Sequence, residues 1–299
     1  MPALSDLDVF RRSRADVCVG LIGSGIQASL TPAMHMQEGR AHGLDYEYRL
    51  IDTDMLGLSA SALPTLLSAA EESGFAGLNI TYPLKQEVLG FLTDLSDDAR
   101  ALSAVNTVVF DGGRRVGYNT DWWGFATAFR QSFTNVRREI VVLLGAGGAG
   151  AAVAYALLTS GVRELRIVEA DSSKGLALAA TLVDRFPSAR VTGGWESAAA
   201  LRDADGLVNA TPVGMAKLPG LPLAAELITP NLWLIDIIYF PLETELLRTA
   251  RNRGCRSMNG GGMAVFQAVK AFELFSGRTA SPDRMQACFT ELAQAARDK

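Results

Sequence analysis

Histidine and cysteine are scarce: the 299-residue chain has 2 of the first and 3 of the second. Cys18, Cys255 and Cys288 lie far apart, which suits reduced, buried thiols and neither a disulfide framework nor a zinc site. His35 and His42 stand without a cysteine or carboxylate cluster in the sequence reading, so no metal centre is expected. Basic runs are missing too. Lys and Arg never exceed a pair and the formal net charge is −4, which argues against a nucleic-acid partner. Apolar stretches break well before membrane-spanning length, so no membrane partner is expected. The N-terminus shows no apolar signal region, so a cytoplasmic chain is expected.

What is present is ordinary for an enzyme-sized globular chain: 48% apolar residues and 20% charged ones, enough for two domains. Strand-like and helix-like stretches alternate. Strands are predicted near Val17–Ile22, Tyr46–Ile51 and Gly77–Thr81, with helices near Ala33–Gly43, Gly57–Glu72 and Lys85–Leu92. A hairpin-like pair, Ala104–Phe110 and Arg115–Tyr118, follows around Asp111-Gly112-Gly113. A second alternating set begins at Ile140 and runs through strands Leu165–Glu169, Gly206–Asn209 and Leu232–Ile238 and helices Lys174–Asp184 and Thr244–Arg253. Ala264–Ser276 and Asp283–Arg297 read as terminal helices. This is an α/β pattern. The expected division is 1–121 with 263–299 packing back on it, and 122–262, with a ligand cleft between the two domains.

Two stretches fit the dinucleotide fingerprint, in which glycines permit a tight turn and close approach of a pyrophosphate to a helix N-terminus. The first is VCVGLIGSGIQASLTP, Val17–Pro32, with Gly23, Gly25 and Ala28. The second is IVVLLGAGGAGAAVAYALL, Ile140–Leu158. After Gly147 the second runs on in small residues with no breaker, and the acidic Glu169 closes the next strand where a ribose partner belongs. The plain alternatives are an unliganded glycine turn and a Glu169 that caps the following helix. In the first, Pro32 would fall inside the helix. It fits better at the first helical position with Thr31 as N-cap, leaving a hydroxyl-bearing loop Ser24–Leu30 suited to a small carboxylate. Simple capping by Ser29 and Thr31 is the competing reading.

In NITYPLKQ, Asn79–Gln86, a strand ends in Asn79 and Thr81, Pro83 fixes a turn, and Lys85 follows at the sheet edge where α/β proteins bind ligands. Asn119-Thr120-Asp121 is likewise polar after a strand. A solvated lysine, and an Asp121 capping a helix that starts at Trp122, are the plain readings. A lysine and an aspartate together suit proton transfer, the carboxylate orienting the amine.

These motifs, in this order, resemble the shikimate/quinate dehydrogenase family over nearly the whole length. They are Ser29-Leu30-Thr31-Pro32 with His35, Asn79-x-Thr81-x-Pro83-x-Lys85, Ala104–Thr107, Asn119–Asp121, Gly145–Ala149, Asn209–Met215 and Gly262–Gln267. The resemblance implies a substrate carboxylate held by Ser29 and Thr31, near Tyr239. It implies ring hydroxyls held by Asn79, Thr81, Asn106, Asp121 and Gln267, and a catalytic pair Lys85 and Asp121. It assigns a dinucleotide to Gly145, Ala146, Gly147, Gly148, Ala149, Glu169, Asn209, Thr211, Pro212 and Gly260. Three places depart from the family's commonest pattern. Thr31 replaces a usual Ser, as in quinate-using relatives, and Asn259 stands where Asp is common. Glu169-Ala170-Asp171 replaces the Asn-Arg-Thr of NADP-using members. The expectation is an NAD-dependent oxidoreductase acting on the C3 hydroxyl of shikimate or quinate, as a monomer or homodimer. A dehydrogenase of an amino-substituted shikimate and a non-catalytic shikimate or quinate sensor are the alternatives.

Overall fold

In a computed structural model the chain is described over residues 8–297. The first seven and last two residues, at the ends of the expected 1–121 and 263–299 segments, lie outside the described residues, as does part of the stretch read for a leader. Two compact units form, Met1–Thr120 with Gln267–Lys299, and Asp121–Phe266.

In the first unit the chain runs β1 (Val17–Gly23), α1 (Thr31–Ala41), β2 (Tyr46–Asp52), α2 (Leu63–Glu72) and β3 (Gly77–Ile80). It continues through β4 (Asp94–Leu95), α3 (Asp97–Leu102), β5 (Thr107–Asp111) and β6 (Arg114–Tyr118). The sheet order is β2-β1-β3-β5-β6-β4. β1 pairs parallel with both β2 and β3, while β5 runs antiparallel to β3 and β6. Ile22, Ile51, Leu66, Leu67, Leu78 and Ile80 are fully or almost fully buried in its core. Each such side chain contributes about 1.5–3 kcal/mol relative to exposure. The chain leaves β1 to one side and returns on the other at β3, so the loops after these two strands flank a topological switch point, where open α/β sheets bind ligands.

The second unit holds α4 (Thr120–Ser132, its first residue counted with the first unit), β7 (Ile140–Leu144), α5 (Gly148–Thr159), β8 (Glu164–Val168) and α6 (Ser172–Val183). Then come β9 (Arg190–Thr192), α7 (Ser197–Ala200), β10 (Gly206–Asn209), β11 (Trp233–Asp236), α8 (Glu245–Asn252) and β12 (Ser257–Met258). The order β12-β11-β10-β7-β8-β9, parallel throughout, is that of the doubly wound dinucleotide fold. Phe125 and Phe129 of α4 stack with one another and with Phe133 just past its end, with centroids 6.1 and 5.6 Å apart. α9 (Gly261–Ser276) carries the chain back to the first unit, where α10 (Pro282–Arg297) packs on α1. There the buried Glu38 accepts from the Ser281 amide and from Arg284, both at 2.8 Å, so its charge is paired.

The capping expectation at Thr31 needs correction, and the plain capping alternatives at Asp121 and Glu169 do not hold. Thr31 is not the N-cap of α1. It is the first helical residue, Leu30 caps without a side-chain bond, and Pro32 falls one position later than expected. The Ser29 hydroxyl, 3.4 Å from the Thr31 amide, takes over the local role. Asp121 does not precede a helix at Trp122, because α4 begins two residues earlier at Thr120 and Asp121 lies in its first turn. Glu169 does not cap α6; Asp171 does, accepting from the Ser173 amide at 3.1 Å. The helix expected over Lys85–Leu92 is only a 3-10 turn, Glu87–Phe91.

Candidate functional site

In the first unit the loop after β1 is built around one carboxylate. Asp52, at the end of β2, accepts from the amides of Gly25 and Ile26 at 3.1 Å, from that of Asp54 at 3.2 Å, and from Gln27 Nε2 at 2.9 Å. Burial alone would raise its pKa, but these donors hold it below the ordinary aspartate value. The loop therefore closes on Asp52 and delivers half-buried Ser29 and Thr31 to the start of α1. Gly23 admits no side chain: a Cβ there would lie 2.3 Å from Thr81 Cγ2. The loops after β1 and β3 thus touch, and the Ser24 amide donates to the Tyr82 carbonyl at 3.0 Å. Ser29, Thr31 and Thr81 thus lie on, or at the ends of, the two loops that meet at the switch point.

Lys85 is half-buried, and its carbonyl accepts from the Val105 amide at 2.9 Å. The next residue, Asn106, accepts through Oδ1 from the Thr120 amide at 2.7 Å. Lys85 and Thr120 are thus tied to consecutive residues, and the buried Asp121 follows Thr120 directly. Asn79 and Asn106 are both buried and linked through Thr107, whose Oγ1 accepts from Asn79 at 3.0 Å and donates to Asn106 Oδ1 at 3.1 Å. Gln267 lies half-buried in the second turn of α9.

In the second unit Gly145, Ala146 and Gly147 form the turn between β7 and α5, and Gly148 and Ala149 open the helix. Gly145 has φ +98°, open to glycine but strained for other residues, and a Cβ there would meet the Ala210 carbonyl oxygen at 2.8 Å. Gly150 lets the helix approach, since its Cβ would lie 2.2 Å from the Gly145 oxygen. The N-cap is Gly147, with no side chain to occupy the first-turn amides. This helix start fits a pyrophosphate. Glu169 Oε2 accepts from the Ala146 amide at 2.8 Å, which places the carboxylate beside the loop.

Across the switch point, Asn209 ends β10 and accepts from Thr211 through both its amide (3.0 Å) and hydroxyl (2.7 Å), shaping the turn that holds Pro212. Gly260 is required by packing, a Cβ there falling 1.8 Å from the Ile237 oxygen. Tyr239 is 41% exposed overall. Desolvation of its hydroxyl, and then the Asp121 carboxylate, push that hydroxyl above its ordinary value.

Asp236, at the end of β11, is the hub of this unit. It accepts from Asn209 Nδ2 at 3.1 Å, the Ile238 amide at 3.2 Å and the Thr244 hydroxyl at 2.7 Å. Desolvation outweighs these donors and pushes its carboxyl up to about 6 from 3.8. A raised folded value means that the folded chain binds this proton more tightly than the unfolded one. Stability from this group is full below about pH 3.8 and is lost as pH rises through about 6, on the order of 3 kcal/mol. Asp236→Asn cannot ionise. Its melting temperature relative to wild type is expected to rise between about pH 4 and about pH 7.5 in thermal scans. A pH-independent difference would contradict this.

Asp52 and Asp236 escape sequence reasoning as site-building residues. The only available signal is an acid closing a strand, the feature that singled out Glu169.

A doubly wound dinucleotide unit joined to a second α/β unit, with polar motifs at both switch points, defines a nucleotide-dependent oxidoreductase architecture. A family model described as the shikimate dehydrogenase substrate binding domain matches residues 21–108. The shikimate dehydrogenase (NADP(+)) of Streptomyces avermitilis is 54% identical over 92% of this chain and 95% of its own. The quinate/shikimate dehydrogenase (NAD(+)) of Corynebacterium glutamicum is 45% identical over 92% and 99%. The solved quinate dehydrogenase from Corynebacterium glutamicum in complex with NAD superposes with a TM-score of 0.85 at 44% identity, covering 92% of this chain and 99% of that one. The chain belongs to the shikimate/quinate dehydrogenase family. No helix among the described residues is long and apolar enough to cross a membrane.

Proposed function

We propose that the protein reversibly oxidises the C3 hydroxyl of shikimate, quinate or both, with NAD as the hydride acceptor. The observation that carries this reading is the placement of the family's polar residues around one switch point: Ser29, Thr31, Thr81 and Lys85 on the loops after β1 and β3, with Asn79 and Asn106 beside them. In this reading Ser29 and Thr31 hold the carboxylate near Tyr239, and Asn79, Thr81, Asn106 and Gln267 take ring hydroxyls. Lys85 moves the hydroxyl proton and Asp121 orients it. The bound nicotinamide supplies the hydride acceptor, and the protein's part is to position the C–H bond and manage the proton.

NAD, rather than NADP, is favoured by Glu169. Its carboxylate lies beside the glycine turn and can accept from ribose hydroxyls, whereas a 2′-phosphate would bring like charge against it. The stretch Val168–Lys174 offers no arginine. The Streptomyces and Corynebacterium relatives carry NADP(+) and NAD(+) names respectively, so this choice rests on Glu169. The test is a panel of shikimate, quinate and an amino-substituted shikimate, each with NAD and NADP, followed by reduced-nicotinamide absorbance. Turnover of shikimate or quinate with NAD is expected. Binding of both acids without turnover would contradict the reading.

Thr31 is expected to favour quinate. Quinate has a puckered, saturated ring with an extra hydroxyl beside the carboxylate, and the threonine methyl restricts where the hydroxyl points. Thr31→Ser should lower the quinate-to-shikimate ratio of kcat/KM by a modest factor, since one methyl is worth about 1–3 kcal/mol at most. An unchanged ratio, or one moved toward quinate, would count against this role.

A further inference from the structure

We propose that Tyr48 is a positioning residue, its phenol fixing the Asn79 side chain as a hydrogen-bond acceptor toward a substrate hydroxyl. This rests on the reading of Asn79 as a substrate residue. Tyr48 lies in the middle of β2, buried, with its ring edge-on to that of His35 at 5.1 Å. Tyr46 pairs with His35 Nδ1 at 3.0 Å, whereas the Tyr48 hydroxyl reaches Asn79 Oδ1 at 2.8 Å.

The polarity of the chain of bonds that follows is set by backbone groups, which cannot reverse. The Thr120 amide can only donate, so the Asn106 atom 2.7 Å from it is oxygen. The Asn106 carbonyl can only accept, so the Asn79 atom 3.4 Å from it is nitrogen. Asn79 Nδ2 also donates to Thr107 Oγ1 at 3.0 Å, and Thr107 passes its proton to Asn106 Oδ1. Both amide hydrogens of Asn79 are thereby used. Its oxygen faces Tyr48, which must donate. Burial, and then Tyr46, push the Tyr48 phenol well above its ordinary value, so it remains a donor at any working pH. One lone pair of Asn79 Oδ1 is left, and it can serve only a donor such as a ring hydroxyl.

Tyr48→Phe removes the donor and keeps the ring packing. The oxygen of Asn79 then loses its anchor and the amide can rotate. The expected result is a rise of about tenfold in KM for shikimate, with kcat within about threefold and KM for the dinucleotide unchanged. Asn79→Ala should raise the same KM, and adding Tyr48→Phe to it should change nothing further, because the tyrosine acts through the amide. Thr107→Val removes both the acceptor of Asn79 and the donor to Asn106 at nearly constant volume, so it is compared with its double variant with Asn79→Ala: the share of its KM rise that vanishes on that background acts through Asn79, and this decides the matter if Tyr48→Phe does not fold. Asn79→Ala raising KM while Tyr48→Phe, or in its place Thr107→Val, leaves it unchanged would overturn the positioning role alone. So would a Tyr48→Phe effect that persists in full on the Asn79→Ala background. An unchanged KM in Asn79→Ala would instead overturn the substrate reading of Asn79, and this proposal with it.

Discussion

Lys85→Ala is expected to lower kcat by at least about a hundredfold, with a smaller change in KM, as loss of a general acid/base does. The motive is local. The nearby Leu84 and Val88 are buried, and the Lys85 carbonyl is bonded to Val105. The backbone is therefore held whatever the side chain. Truncation removes the amine and leaves the turn in place. Asp121→Asn should also be severe, because it removes the charge proposed to orient the amine. Its chain neighbour Thr120 remains fixed by Asn106, so the loss would be chemical and not a matter of folding. Near-normal turnover in Lys85→Ala would return this residue to an ordinary half-buried surface lysine.

Wild-type protein is expected to use NAD at least about tenfold better than NADP in kcat/KM, equivalent to roughly 1.4 kcal/mol. The double variant Glu169→Asn, Ala170→Arg should shift toward NADP. The shorter amide that replaces Glu169 keeps an oxygen able to accept from the Ala146 amide, so the glycine turn should survive the change. The introduced arginine would supply the planar fork that matches phosphate oxygens. Asp171 is held as the cap of α6 through the Ser173 amide and hydroxyl, so it stays in place in the variant and limits the gain. Equal use of both cofactors by the wild type would refute the charge argument at Glu169.

The alternation of strands and helices is legible in the sequence because each long strand carries its own apolar run. The glycine turn at Gly145–Ala149 is legible because its small residues have a steric cause, now visible as the 2.2 Å that a Gly150 Cβ would have to the Gly145 oxygen. Short elements are not legible. β4 and β12 have two residues each and β9 has three, and such strands exist by pairing with a neighbour, not by periodicity. Caps are the other failure. Thr31, Asp121 and Glu169 are all plausible capping types, but a cap depends on where the helix starts to within one residue. At Glu169 the choice fell to Asp171 two residues on, which freed the Glu169 carboxylate for the Ala146 amide. Tyr48 reads as an ordinary member of an alternating strand, and Asp52 as an acid at the end of the same strand. Their contacts reach 31 residues on, to Asn79, and 26 residues back, to Ile26, and local patterning carries no trace of such partners.

The most direct test of the central claim follows one atom. Shikimate and quinate carrying deuterium on C3 would be given to the purified protein with NAD, and the reduced dinucleotide and the acid product examined by mass spectrometry. Transfer of the deuterium to the nicotinamide, with formation of the 3-dehydro acid, is the expected result for at least one of the two acids. Reduced dinucleotide without label, or no reduction with either acid, would contradict the account.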